Sequence, residues 1–219
     1  MTRLIVFDCD GTLVDSQHLI VDTMGTAFEE YGYPAPQAEA VRHVVGLSLH
    51  LAIAKLAPGI AEAECERLVE GYKRSFQAKR RQPDFHEPLF EGARETLYAL
   101  EQIGCLLAIA TGKSDRGVAS VLAHHTLADL FVSLQTADRH PSKPHPSMLE
   151  AAMSETGSAP DETIMVGDTS YDMEMARAAG ARAVGVEWGY HPVTLLEQSG
   201  ADLVIERFDQ LLGLVHDRR

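Results

Sequence analysis

An apolar run of the roughly 18 residues needed to span a bilayer is missing from this chain. Positive charge is scarce as well: 19 Lys and Arg stand against 32 Asp and Glu, for a formal net charge of −13. That balance excludes nonspecific binding to nucleic acid or to anionic membranes, which need a basic surface. Cysteine is rare, with Cys9, Cys65 and Cys105 widely spaced and odd in number, so neither a disulfide framework nor a zinc site is expected. The N-terminal stretch MTRLIVFDCDGT runs from a short apolar segment straight into carboxylates and reads as a core strand rather than a signal peptide. Internal repeats, low-complexity tracts and long linkers are also lacking. A soluble protein of a reducing cytoplasm is the expectation.

What is present suits a globular domain: 219 residues, 45% hydrophobic and 23% charged. Six short apolar segments without strict alternation, at 4–8, 106–111, 131–135, 163–167, 183–186 and 203–205, read as buried strands. Helical patterns such as GARETLYALEQIG, SDRGVASVLAHH, PSMLEAAMSETG and SYDMEMARAAG lie between them. Strand and helix alternate as in a doubly wound α/β fold, a parallel sheet covered on both faces. Far more chain separates the first two strands than one crossover helix requires. The interval is helical throughout, with candidate helices at 18–31, 37–45, 49–56 and 61–80, punctuated by Pro34, Pro36, Gly46, Pro58 and Gly59. We therefore expect an all-helical cap at 17–81 inserted into a core made of 1–16 and 82–219, with hinges near 15–17 and 81–87.

Ligands of open α/β sheets bind beyond the carboxyl ends of the strands, so polar residues there carry the chemistry. The first strand ends in Asp8-Cys9-Asp10-Gly11-Thr12. Two carboxylates this close repel unless a cation, a shared proton or hydrogen-bond donors offset them, and Mg2+ is the natural cation for oxygen ligands. The fourth strand adds Asp168 at its end and Asp172 one helical turn later, on the same side. Thr111 and Gly112 close the second strand, where a hydroxyl and exposed amides can donate to a phosphate oxygen. Lys143, stiffened between Pro141 and Pro144, offers a fixed cation for phosphate charge.

DCDGT, ATGKS, SKP and GDTSYD, in this order at the ends of the expected strands, resemble the four motifs of the haloacid dehalogenase superfamily. The resemblance spans the chain, and the helical insert is similar to the C1 cap of phosphoglycolate phosphatases. It implies a Mg2+-dependent phosphatase in which Asp8 attacks phosphorus to form an aspartyl phosphate and Asp10 acts as acid, then base. Thr111 and Lys143 would hold phosphoryl oxygens, with Gly112 beside them. The metal ligands implied are the Asp8 side chain, the Asp10 backbone carbonyl and Asp168, with Asp172 oriented through water or Lys143. A divalent ion and a lysine match the spread of negative charge in phosphoryl transfer.

Several residues invite other readings. Cys9 lacks the arginine-closed phosphate loop of thiol phosphatases and reads as structural. His140 and His145 flank Lys143 in a Pro-rich loop without an assigned role. In the cap, Arg42, His43, Ser48 and His50 surround Gly46 at a helix junction that can face the site, and Arg42, His43 and Ser48 are candidate substrate contacts. Lys73, Arg74, Lys79, Arg80 and Arg81 read as a solvated helix face.

The competing functions are a sugar phosphomutase of the same superfamily, which Thr12 disfavours, and a non-enzymatic receiver-like or phosphate-binding protein, which the inserted cap disfavours. Phosphoglycolate, a sugar phosphate, a nucleotide monophosphate and pyrophosphate all remain open as substrates, and the acidic surface with its basic cap junction favours a small, strongly anionic metabolite. A monomer or homodimer is expected.

Overall fold

The computed structural model describes residues 4–83 and 85–215. Residues 1–3 and 216–219 of the anticipated core, and position 84 in the anticipated second hinge, lie outside them. Six strands, β1 (Leu4–Phe7), β2 (Leu106–Thr111), β3 (Phe131–Thr136), β4 (Thr163–Gly167), β5 (Arg182–Val186) and β6 (Leu203–Ile205), form one sheet in the order β3-β2-β1-β4-β5-β6. Every pairing is parallel. The chain order reverses beside β1, so the crevice outside the carboxyl ends of β1, β2 and β4 is the switch point where such sheets bind ligands.

Helices α1 (Gln17–Glu30), α2 (Ala38–Val44), α3 (Leu49–Leu56) and α4 (Glu62–Arg80) follow β1 directly. They enclose a separate apolar cluster that includes Ile20, Met24, Phe28, Val41, Ile53 and Leu68. Helices α5 (Ala93–Gln102), α6 (Asp115–His125), α7 (Ser147–Thr156), α8 (Ser170–Ala179), α9 (Val193–Gln198) and α10 (Leu211–Leu214) belong with the sheet. One core cluster joins Ile5, Phe7, Leu97, Leu107 and Phe208, and another joins Leu4, Val6, Met148, Met165 and Met173. Neighbouring residues of β1 thus pack into different layers, which is why its sequence is apolar without alternation.

Local chemistry sets the helices that matter for the site. Ser114 caps α6 by accepting from the Gly117 N–H. Thr169 and Asp172 cap α8 reciprocally, each side chain taking the other's backbone N–H. Gly157 and Gly180 end α7 and α8 in the left-handed conformation. Two helices were not anticipated, α9 and α10, because six and four residues are too few to show a helical period.

Candidate active site

Asp8 follows the last residue of β1 and is wholly buried. Its Oδ1 accepts the Cys9 N–H at 2.7 Å and lies 3.0 Å from Lys143 Nζ. Its Oδ2 is buried with no hydrogen-bond partner. Lys143 donates to Asp172 Oδ1 at 2.6 Å, and the other Asp172 oxygen accepts the Thr169 N–H and hydroxyl at 3.0 and 2.7 Å. Asp168 accepts the Thr12 hydroxyl at 2.8 Å and the Tyr190 N–H at 2.9 Å.

Carboxylate oxygens of Asp8, Asp168 and Asp172 all lie within 4.8 Å of one another. Three buried carboxylates against one buried ammonium leave an excess of negative charge that protein donors alone do not neutralise. The electrostatics follow. Burial, reinforced by Asp172 and Asp10 and only partly offset by Lys143, raises the Asp8 pKa to about 7. Burial and the neighbouring Asp8 and Asp172 also push Asp168 well above the ordinary carboxylate range. Burial alone would lower the Lys143 pKa, but Asp172 and Asp8 outweigh it and keep the ammonium charged. A partnerless buried oxygen and an excess of negative charge fit a divalent cation with oxygen ligands.

Glycines let the backbone close on these carboxylates. A Cβ on Gly11, whose φ is +83°, would lie 2.3 Å from Asp168 Oδ2, and one on Gly189 would lie 2.0 Å from Asp168 Cβ. These positions have no room for a side chain.

Asp10 faces elsewhere. Its carboxylate takes both contacts from Lys113 Nζ, at 2.7 and 2.9 Å, and the Ser16 hydroxyl at 2.6 Å. It does not belong to the group formed by Asp8, Asp168 and Asp172, so the four carboxylates expected at one edge divide into three and one. Lys113 lies 3.5 Å from Glu87, which Arg80 holds at 3.0 Å. This chain of contacts from α4 through the second connection to Asp10 has no signature in the sequence. Lys113 was visible only as part of ATGKS, and Glu87 sits in a segment with no pattern of its own. Thr12, Ser16 and Tyr190 were missed as partners for the same reason.

A cavity of about 310 Å³ opens between the sheet edge and the four inserted helices. Asp8, Asp10, Thr111, Gly112 and Ser48 line it; Arg42 and His43 do not. His43 instead stacks on His191 with ring centroids 4.9 Å apart, and its carbonyl accepts from Tyr171 Oη and His191 Nε2 at 3.1 and 3.2 Å. It sits where the inserted helices meet the core. Ser48 donates its N–H to Ser142 Oγ at 2.8 Å, and Ser142 immediately precedes Lys143. Thr111 is buried, and its hydroxyl accepts the Lys113 N–H at 3.3 Å.

The basic run on α4 departs from the solvated face expected of it. Lys73, Arg74 and Lys79 pair at the surface with Glu70, Glu30 and Asp22, yet Lys73 and Arg80 also border the cavity. Cys9 is buried beside Val14 and Val121, and burial raises its thiol pKa well above the usual value, as for an inert core thiol. His140 bonds Ser147 Oγ and Gln135 Oε1, both at 2.8 Å, and His145 Nδ1 accepts the Ser147 N–H at 3.2 Å. Both histidines brace the loop around Lys143.

Residues 5–186 match the model of the haloacid dehalogenase-like hydrolases. The chain is 35% identical to the probable phosphatase IndB of Dickeya dadantii, over 99% of this chain and 94% of that protein. It is 31% identical to the phosphoglycolate phosphatase of Pseudomonas putida, over 97% of this chain and 79% of the relative. Among solved structures, a hydrolase from Pseudomonas syringae superposes with a TM-score of 0.85 at 28% identity, covering 97% of each chain. The match runs through the strand ends that carry the buried carboxylates, and both of these curated relatives, matched along nearly the whole chain, are named phosphatases. The protein belongs to the haloacid dehalogenase-like hydrolases and is a phosphoric monoester hydrolase similar to the phosphoglycolate phosphatases.

Proposed function

We infer that the protein cleaves the phosphate ester of a small phosphorylated metabolite with Asp8 as nucleophile and Mg2+ as cofactor. The observation that carries this reading is Asp8 itself: it borders the cavity, is held through Oδ1, and keeps Oδ2 without a partner. Asp8, Asp168 and the Asp10 backbone carbonyl would hold the metal. When bound, Mg2+ supplies the positive charge that phosphoryl transfer needs beside its equatorial oxygens. Asp172 has its oxygens taken by Lys143 and Thr169, so its role is to orient the lysine.

An Asp8 carboxylate oxygen attacks phosphorus, and the bond from phosphorus to the ester oxygen breaks. Asp10 hands its proton to the departing alkoxide, leaving an aspartyl phosphate and a free alcohol. Asp10 then takes a proton from water, which attacks the aspartyl phosphate, releases inorganic phosphate and restores Asp8. Thr111 and Gly112 border the space for the phosphoryl oxygens, and Lys143 offsets their charge. The four inserted helices act as a cap, residues 17–81, that excludes bulk water above this floor. We place the protein in the cytoplasm as a monomer or homodimer; among the described residues no helix is long and apolar enough to cross a membrane.

The test is hydrolysis of para-nitrophenyl phosphate with and without Mg2+, by the wild type and by Asp8→Asn. Loss of a nucleophile that acts as part of a unit costs about 10⁴-fold or more, with far-ultraviolet circular dichroism unchanged. Turnover by Asp8→Asn at the wild-type rate would remove Asp8 from the reaction. Isomerisation of a sugar phosphate without release of phosphate would favour a mutase.

A further inference from the structure

Above Asp8 the cavity wall is built by Ile20 and Met24 of α1, Val44 of α2, and Val69, Tyr72 and Phe76 of α4. Tyr72 and Phe76 lie one turn apart on the same face, with ring centroids 5.9 Å apart and planes tilted by 33°. The cations that border the same space already have partners. Lys113 holds Asp10 and Glu87, Arg80 holds Glu87, and Lys73 holds Glu70. Arg116 also borders the cavity, but it is exposed on α6, where water screens its charge.

We propose that the leaving group is an uncharged, predominantly apolar alcohol, ring-bearing in size and shape, seated against Tyr72, Phe76 and Val69. This deepens the phosphatase reading above and rests on it. It departs from the small, strongly anionic metabolite that composition and the basic cap junction favour. A second carboxylate on the substrate would enter an apolar wall whose Lys113 and Arg80 are committed to the buried Asp10 and Glu87, and for its lost hydration it would gain only the exposed, water-screened Lys73, already in a surface pair with Glu70, or Arg116. An apolar ring instead displaces water from Val69 and packs against Tyr72 and beside Phe76, over whose ring Arg80 and Lys113 lie 5.2 and 5.4 Å from the centroid. The cavity, at about 310 Å³, lies at the small end of the range for ligand sites. It suits one ring and a phosphate.

Benzyl phosphate and 2-phosphoglycolate are both phosphate esters of primary alcohols, so comparing them reads the pocket rather than an activated leaving group. With Mg2+ and the full-length wild type, kcat/KM for benzyl phosphate should exceed that for 2-phosphoglycolate by about 100-fold, since one methylene in an apolar pocket is worth about 10- to 200-fold. Equal or better turnover of 2-phosphoglycolate overturns the proposal and leaves the phosphatase reading intact. If neither ester nor para-nitrophenyl phosphate is hydrolysed, the catalytic reading fails, and binding then tests the pocket separately. Calorimetric titration of Asp8→Asn should give a Kd for benzyl phosphate at least about tenfold below that for 2-phosphoglycolate. The reverse order overturns the proposal. Val69→Lys adds a cation to the wall and should shift the kcat/KM ratio toward 2-phosphoglycolate by about tenfold or more; an unchanged ratio in a folded variant would also overturn it.

Discussion

At the floor of the cavity Asp8 lines the space, with Asp168, Asp172 and the Lys143 ammonium gathered behind it, whereas the wall on α1 and α4 presents Ile20, Met24, Val69, Tyr72 and Phe76. The floor is polar, buried and rigid, because each carboxylate is pinned by a backbone N–H, a hydroxyl or Lys143. The wall is apolar and belongs to a helical unit with its own core. The contrast separates two jobs. On the function proposed above, the floor would handle the charge common to every phosphate ester, and the wall would distinguish one alcohol from another.

Removing Lys143 strikes the floor hardest. Lys143→Met leaves Asp8 and Asp172 buried without their cation, and breaking such a pair costs about 3–5 kcal/mol. In EDTA, urea denaturation at pH 8 should show that loss, and the deficit should shrink at pH 6, where Asp8, with a pKa of about 7, takes up a proton. Turnover should fall by about 10³-fold or more, as for loss of a preorganised charge at the transition state. A variant as stable and active as the wild type would show that the floor does not depend on its single cation.

The raised Asp8 pKa makes the floor sensitive to pH and metal. Its ordinary value is 3.8 and its folded value about 7, so between these the native state holds more protons than the unfolded state. Stability of the metal-free protein should therefore fall as pH rises through that window. Mg2+ must displace the proton, so its affinity should weaken about tenfold for each pH unit below 7. Calorimetry in buffers of different ionisation enthalpy measures the released proton directly. An affinity that stays flat from pH 5.5 to 8 would mean that Asp8 is already ionised.

The seam between floor and wall gives the smallest effect. A Cβ on Gly112 would lie 2.3 Å from the Leu47 carbonyl oxygen and 2.7 Å from that of Gly46, both backbone atoms that cannot rotate away. Gly112→Ala should push the loop between α2 and α3 off the core, at a cost of about 1–3 kcal/mol typical of overpacking. We expect kcat/KM to drop about 10- to 100-fold through a misplaced cap. Unchanged kinetics would show that closure at this seam does not matter for the reaction.

Much of the floor could be read in order along the chain. Asp8, Thr111 and Asp168 stand at or just beyond the ends of β1, β2 and β4, and a parallel sheet brings adjacent strand ends together whatever the loops do. Apolar β1 and the Gly11 turn thus specify where Asp8 goes, and the Thr169 and Asp172 capping pair is written within four residues. The pairing of Asp10 was not readable in this way. Its carboxylate meets Lys113, and Lys113 meets Glu87 and through it Arg80, a chain of contacts that exists only because α4 returns beside the loop after β2.

The same limit holds for the cap junction. Arg42, His43 and Ser48 lie within one short stretch, yet only Ser48 borders the cavity, and α2 docks with His43 stacked on His191 instead. Periodicity identifies which residues share a helix face, but the direction of that face depends on how the whole helix docks. The sequence by itself determined the sheet, the inserted helices and the carboxylate floor, since strand ends and caps are local. Tertiary structure alone decided which cations are already paired and which side chains border the cavity, since those contacts join segments far apart in the chain.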